Sequence, residues 1–219
     1  MMRKLKILWQ RARHILQTEG WAILLRRGFT FLAHSIFLQE TYYIYEHVLK
    51  ERNEADFLPR LQNFTFEIVH NNQQADELAA RGYEFRSTDG EDCYRLDNGA
   101  IAFCVFVEGE LAHKGWVVLT EEAKRAIVNL PLKLDFPAGE AFCGGTMTDP
   151  KYRKLGLMAY GYFKRLQFLK EIGISRAVSC VAEDNIASHR AQAKLSPKLY
   201  AKARYLKLLG LRFWKEVVC

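Results

Sequence analysis

The residues from Arg153 to Gly156 combine charge, free backbone and a glycine in an order that can hold a phosphate. An apolar run, Glu140-Ala-Phe-Cys-Gly-Gly-Thr-Met-Thr148, breaks at Asp149-Pro150 and passes through Lys-Tyr-Arg153-Lys-Leu-Gly156-Leu-Met158 into a helical pattern. A strand that feeds a short basic turn into a helix start leaves N–H groups without partners. It adds the positive end of the helix dipole, and the glycine lets an anion come close to the main chain. This is the chemistry needed for a pyrophosphate. Two other phosphate loops do not fit: Gly145 to Lys151 does not supply the Walker pattern, and only Gly156 of the three glycines of a dinucleotide fingerprint lies in this turn.

The elements that must position the turn are also legible. Ala159, Tyr162, Phe163, Leu166, Leu169 and Ile172 recur at three- and four-residue intervals, which predicts an amphipathic helix ending at Gly173. Ile174 to Ala182 reads as a buried strand. In the following Glu-Asp-Asn185-Ile-Ala-Ser188, Asp184 or Asn185 is placed to cap a second helix, with Ser188 one turn in.

Arg153-x-x-Gly156-x-Met158, followed by a helix, a strand and Asn185-x-x-Ser188, resembles the two cofactor-binding motifs of the GNAT superfamily of acyl-CoA-dependent N-acyltransferases. The resemblance covers residues 140–195 and departs from the family at Met158, where Gly or Ala is usual. It implies a mixed, mostly antiparallel twisted sheet flanked by helices, and acetyl-CoA or another acyl-CoA as co-substrate. It further implies a pantetheine arm paired with the backbone of Thr146, Met147 and Thr148, and a pyrophosphate on the N–H groups of Arg153, Lys154, Leu155, Gly156, Leu157 and Met158. Asn185 and Ser188 match the polar positions of the second motif.

The family's proton-transfer residues do not carry over. Many relatives place a Tyr seven positions after this Asn, where Gln192 stands, and some a Glu five before it, where Cys180 stands. Others use a Glu on the strand before the phosphate turn. Glu140 begins that strand and is the candidate base for drawing a proton from an ammonium; His113 and Tyr200 are weaker candidates. The implied reaction is direct acetyl transfer to a primary amine, with an amino sugar, a peptide amine and a polyamine all open as acceptors. A catalytically silent acyl-CoA-binding module and a membrane-surface interaction protein on the same fold are the alternatives.

Five cysteines form no C-x-x-C pair, and Cys104, Cys143 and Cys180 sit in apolar runs, so reduced core thiols in a cytoplasmic setting are expected. The histidines show no H-x-x-x-H pair, and no metal is expected. Residues 1–39 and 194–219 each carry seven Lys or Arg against one acid, so within a net charge of +7 both ends are basic and the centre is acidic. Leu5, Leu8, Trp9, Ala12, Ile15 and Leu16 share a helical face beside that charge. Such a helix suits a homodimer or an anionic membrane surface, through residues 1–38, at the inner face of the membrane. Nucleic acid has the weakest case, and charges interrupt every apolar run short of a membrane span.

The expected organisation is a basic helical extension over 1–58 and an acyltransferase domain over 59–219. Within the latter the pattern predicts a strand at 64–69 and a helix at 73–81. A hairpin at 100–107 and 111–119 follows, then a helix from Thr120 to Leu130 and a short strand at 133–136. Late strands are expected at 199–208 and 211–218.

Overall fold

The computed structural model describes residues 37–219 together with Trp21. Eight strands form one sheet in the order β2-β3-β4-β5-β6-β1-β7-β8. They are β1 Phe37–His47, β2 Phe64–Val69, β3 Ile101–Val107, β4 Glu110–Val118, β5 Glu140–Thr148, β6 Arg176–Ala182, β7 Lys198–Leu208 and β8 Leu211–Val218. Among residues 37–219 five α-helices accompany them: α1 Asn72–Ala80, α2 Glu91–Asp97, α3 Glu121–Ile127, α4 Leu157–Glu171 and α5 Ile186–Ala193. The expected mixed, mostly antiparallel sheet with flanking helices is what forms. The chain divides into two compact units, residues 1–40 with 204–215 and residues 41–203 with 216–219. Every site discussed below lies in the second.

Every residue of β3 is buried, which explains why Ile-Ala-Phe-Cys-Val-Phe-Val lacks alternation: the strand is covered on both faces. Phe103 and Val105 join Leu157, Tyr160, Leu166 and Leu169 of α4 in the main core. Each such side chain contributes roughly 1.5–3 kcal/mol by leaving water. On the other face Phe106 meets Tyr83 edge-on at 5.1 Å and Trp116 packs with Phe85. There α2 carries the fully buried Asp92, whose carboxylate accepts from Lys114 Nζ at 2.5 Å, Arg95 Nη1 at 3.0 Å and the Ser87 N–H at 2.7 Å. Burial pushes that carboxyl up, yet the lysine and the hydrogen bonds outweigh it and hold the group below its ordinary range.

Several expectations are corrected. Residues 37–47, placed in a helical extension over 1–58, form β1, which pairs antiparallel with β6 from Tyr42↔Ala182 to His47↔Ala177. The aromatic and β-branched Thr-Tyr-Tyr-Ile-Tyr run has strand character, with Ile44 and His47 buried. The expected basic helix, residues 1–36 apart from Trp21, lies outside the described residues. No strand forms at 133–136, because the Asp135 N–H is taken by Glu140 Oε2 and its carboxylate accepts from the Ala138 N–H, making a turn before Gly139. The helix after Thr120 stops at Ile127 instead of Leu130. Sequence reasoning missed α2.

Candidate functional site

The basic turn expected to hold a phosphate opens with a one-turn 3-10 helix, Pro150–Tyr152, that leads the chain toward α4. Asp149 opens it by accepting the Lys151 N–H at 2.8 Å. Tyr152 is buried and Lys151 exposed; both donate to Glu110 Oε2, at 3.0 and 2.7 Å, and so pin the turn to β4. The Arg60 N–H reaches Leu155 O at 2.8 Å from the other side. Arg153 and Lys154 stay exposed, with Arg153 Nε donating to Thr148 O at 3.4 Å. Lys154 (φ 65°) and Gly156 (φ 92°) are both left-handed, a backbone shape that turns successive N–H groups toward one concavity. Gly156 is the N-cap of the 15-residue α4 and supplies no side-chain cap to the first N–H groups of the helix.

Directly before this turn the sheet splits. The parallel pair β5 and β6 is in register only at Glu140↔Arg176, Ala141↔Ala177 and Phe142↔Val178. Past that point β5 stays with β4 as far as His113↔Thr148, while β6 stays with β1 as far as Ala182↔Tyr42. The edge of β5 carrying Thr146, Met147 and Thr148 therefore has no strand partner toward β6. A bulge reinforces the split: between Lys114↔Met147 and Trp116↔Gly144, β5 spends two residues against the single Gly115, with Gly145 left-handed.

A buried polar network joins the two sides of this split. Arg165 of α4 is 0% exposed; its Nε donates to Gly161 O at 3.0 Å, Nη1 to Thr146 Oγ1 at 3.4 Å, and its Cζ lies 3.9 Å from the Tyr162 ring centre. Gln192 of α5 donates to Tyr162 OH at 2.9 Å and accepts from Ser179 of β6 at 2.8 Å, and Ser179 Oγ meets His47 Nε2 of β1 at 2.9 Å. His113 Nδ1 meets Thr148 Oγ1 at 2.8 Å. Burial, then the Arg165 charge, pushes both His113 and His47 down to about 3; Arg52 adds a smaller push at His47. Both imidazoles are neutral at physiological pH. Arg165 Nη2, His113 Nε2 and His47 Nδ1 are buried without a hydrogen-bond partner. Unlike Lys114, which has Asp92, Arg165 has no carboxylate partner among the described residues.

The structure sets Arg153 against the Thr148 carbonyl at the end of β5, while Thr146 meets Arg165 of α4. Asn185 starts α5 at the end of β6, where its side chain accepts the Ser188 N–H at 3.1 Å. Glu140 stands apart, eight residues up β5 from Thr148 and roughly 25 Å along a strand. Its carboxylate accepts from Arg176 Nη1 and from the Asp135 N–H at 2.7 Å, and its side chain is 16% exposed. One donor on each oxygen holds the carboxylate in an ion pair at the far end of β5, a geometry that favours a structural role over the expected one as base. His113 is sealed from solvent, and Tyr200 lies under the Arg176 guanidinium at 4.5 Å. Gln192 serves the network, and burial drives the Cys180 thiol up to about 12. Arg165, Tyr162 and His47 were missed; the one readable sign was an arginine inside the apolar face of α4.

No family model matches the chain, and no curated protein matches it. Similar solved structures include a GCN5-related N-acetyltransferase-like protein from Streptococcus suis, with a TM-score of 0.49 at 14% identity, covering 91% of this chain and 69% of that one. A GNAT-family acetyltransferase from Colwellia psychrerythraea gives a TM-score of 0.48 at 15% identity over 78% of this chain and 55% of its own. A tandem GNAT protein from the clavulanic acid biosynthesis pathway gives 0.49 at 15% identity over 87% and 58%. The chain thus spans little more than half the length of the last two.

Proposed function

We propose that the chain is an acyl-CoA-dependent N-acyltransferase that moves an acetyl group from acetyl-CoA to a primary amine. The observation that carries this reading is the join between a split parallel strand pair and an uncapped, basic helix start. A pyrophosphate fits the start of α4, where backbone N–H groups, the helix dipole and the exposed Arg153 and Lys154 act on the same anion. A pantetheine arm, with its two amides, fits the open edge of β5 at Thr146 to Thr148 as an added strand would. Acetyl-CoA, when bound, supplies a thioester; the fold supplies proximity, holding it where an amine can attack without a covalent enzyme intermediate.

The double variant Arg153→Glu with Gly156→Asp tests the reading. It places negative charge on the proposed pyrophosphate seat and should weaken coenzyme A binding at least about 10-fold, roughly 1.4 kcal/mol, by calorimetry. Unchanged affinity in a variant that keeps its circular dichroism contradicts the assignment. A catalytically silent binding module is the second reading, favoured by the structural engagement of Gln192 and the high pKa of Cys180. It predicts tight coenzyme A binding with no turnover on amines or water.

A further inference from the structure

With Gln192, Cys180 and Glu140 committed to the fold, the proposed reaction needs a proton acceptor from elsewhere. A second pair of titratable side chains lies at the open end of β6. Tyr45 Oη stands 2.8 Å from His189 Nδ1, and His189 Nε2 lies 3.0 Å from Ala182 O. A carbonyl only accepts, so Nε2 carries the proton, Nδ1 keeps its lone pair, and Tyr45 donates to it. The same two contacts suit the imidazolium, whose Nδ1–H would point back at the phenol oxygen. This geometry lets a proton cross without any side chain moving.

The position favours chemistry over packing. His189 follows Asn185 by four residues and precedes Gln192 by three, so it shares their face of α5. Both Tyr45 and His189 are half-exposed, unlike the sealed His113 and His47. The charged and titratable groups that face the pair are Tyr43, Glu183 and Lys202. Tyr43 meets the imidazole edge-on at 5.1 Å and donates to Glu183 at 3.3 Å, and Lys202 Nζ sits 4.5 Å from the Tyr43 ring centre. Burial and then Tyr43 raise the Tyr45 pKa, against a smaller lowering by Lys202, so the phenol stays protonated and able to donate.

We infer that Tyr45 and His189 form the proton relay of the proposed acyl transfer. As the amine nitrogen bonds to the thioester carbon and the carbon–sulfur bond breaks, the amine proton passes to Tyr45 Oη while the Tyr45 proton passes to His189 Nδ1. The imidazolium returns its proton by the same route to the leaving thiolate. Atoms and charge balance with no further reactant. Tyr45 touches the acceptor; His189 acts through it.

This inference rests on the acyltransferase reading, and the test separates the two. Coenzyme A binding is measured by calorimetry, and thiol release from acetyl-CoA is followed with water, glucosamine, spermidine and a lysine peptide as acceptors. The variants are His189→Gln and Tyr45→Phe, each checked by circular dichroism. His189→Gln should lower kcat about 100-fold and abolish the acidic limb of the pH–rate profile. Tyr45→Phe should lower kcat as well, and both should leave the KM for acetyl-CoA and the coenzyme A affinity unchanged. Wild-type protein that does not bind coenzyme A overturns the acyltransferase reading. Binding with no turnover on any of these acceptors does the same and favours the silent module, whereas binding and turnover with an unchanged kcat and acidic limb in His189→Gln overturns the relay alone.

Discussion

At the residue scale the two buried histidines make stability depend on pH in a set direction. His47 and His113 are held neutral in the fold down to about 3, whereas in the unfolded chain a histidine takes up its proton near about 6.5. Below that value the unfolded state binds more protons, so stability is fully present above about pH 6.5 and is lost as pH falls toward about 3. Each histidine contributes a slope approaching about 1.4 kcal/mol per pH unit. Chemical denaturation at about pH 7.5 and about pH 5 checks this: the midpoint should be clearly lower at the acid value, before most carboxylates titrate. Equal midpoints would contradict the buried neutral state of both rings. Burial first, and the Arg165 guanidinium second, disfavours the protonated form of both rings.

At the element scale α4 is the helix on which both the basic turn and the network depend, and Gly161 lets it press against His113 of β4. A Cβ there would lie 2.5 Å from His113 Nε2 and 2.8 Å from Cδ2. His113 is sealed and bonded to Thr148, so it has no room to retreat. Two effects oppose each other in Gly161→Ala: alanine favours a helix by up to about 1 kcal/mol, and overpacking a filled core costs about 1–3 kcal/mol. The clash should win, giving a lower urea midpoint with the helix still formed; a more stable variant would show that α4 is free to shift. The β5–α4–β6 passage was readable because its signals are local: a breaker, a basic turn, a 3.6-residue apolar period and a capping Asn. Helix α2 was not, because it spans seven residues, starts at the left-handed Gly90 without a side-chain cap, and is held by the distant Lys114. Arg165 could not be read as a network member, since Thr146 of β5 reaches it, and Gln192 of α5 reaches Tyr162, only after those elements have packed on α4.

At the scale of the molecule, β1 shows how a long-range pairing escapes a reading by pattern. Its aromatic and β-branched residues suit a strand, but nothing near them in the chain says that they enter between β6 and β7. Placing them there carries Tyr45 and His47 across to α5 and the split, which no spacing in the sequence announced. The basic residues 1–38 carry a different proposal, association with an anionic membrane surface. No helix among the described residues is long and apolar enough to cross a membrane; the attraction proposed here is that of the charges in residues 1–38 to the lipid surface. Full-length protein should then float with phosphatidylglycerol vesicles and not with neutral ones. Salt near about 1 M should release it, because the screening length there falls to about 3 Å. Flotation that ignores lipid charge and salt, or none at all, would contradict a lipid role and leave the apolar face of that segment to protein packing.

Amide hydrogen exchange with and without coenzyme A puts the cofactor cleft to the sharpest test. If the pyrophosphate sits on the uncapped start of α4 and the pantetheine on the free edge of β5, exchange should slow at Arg153 to Ala159 and at Thr146 to Thr148, and stay unchanged at α1. Coenzyme A that binds without slowing those amides, or that does not bind at all, would contradict the assignment of this split and turn as the site of an acyl-CoA.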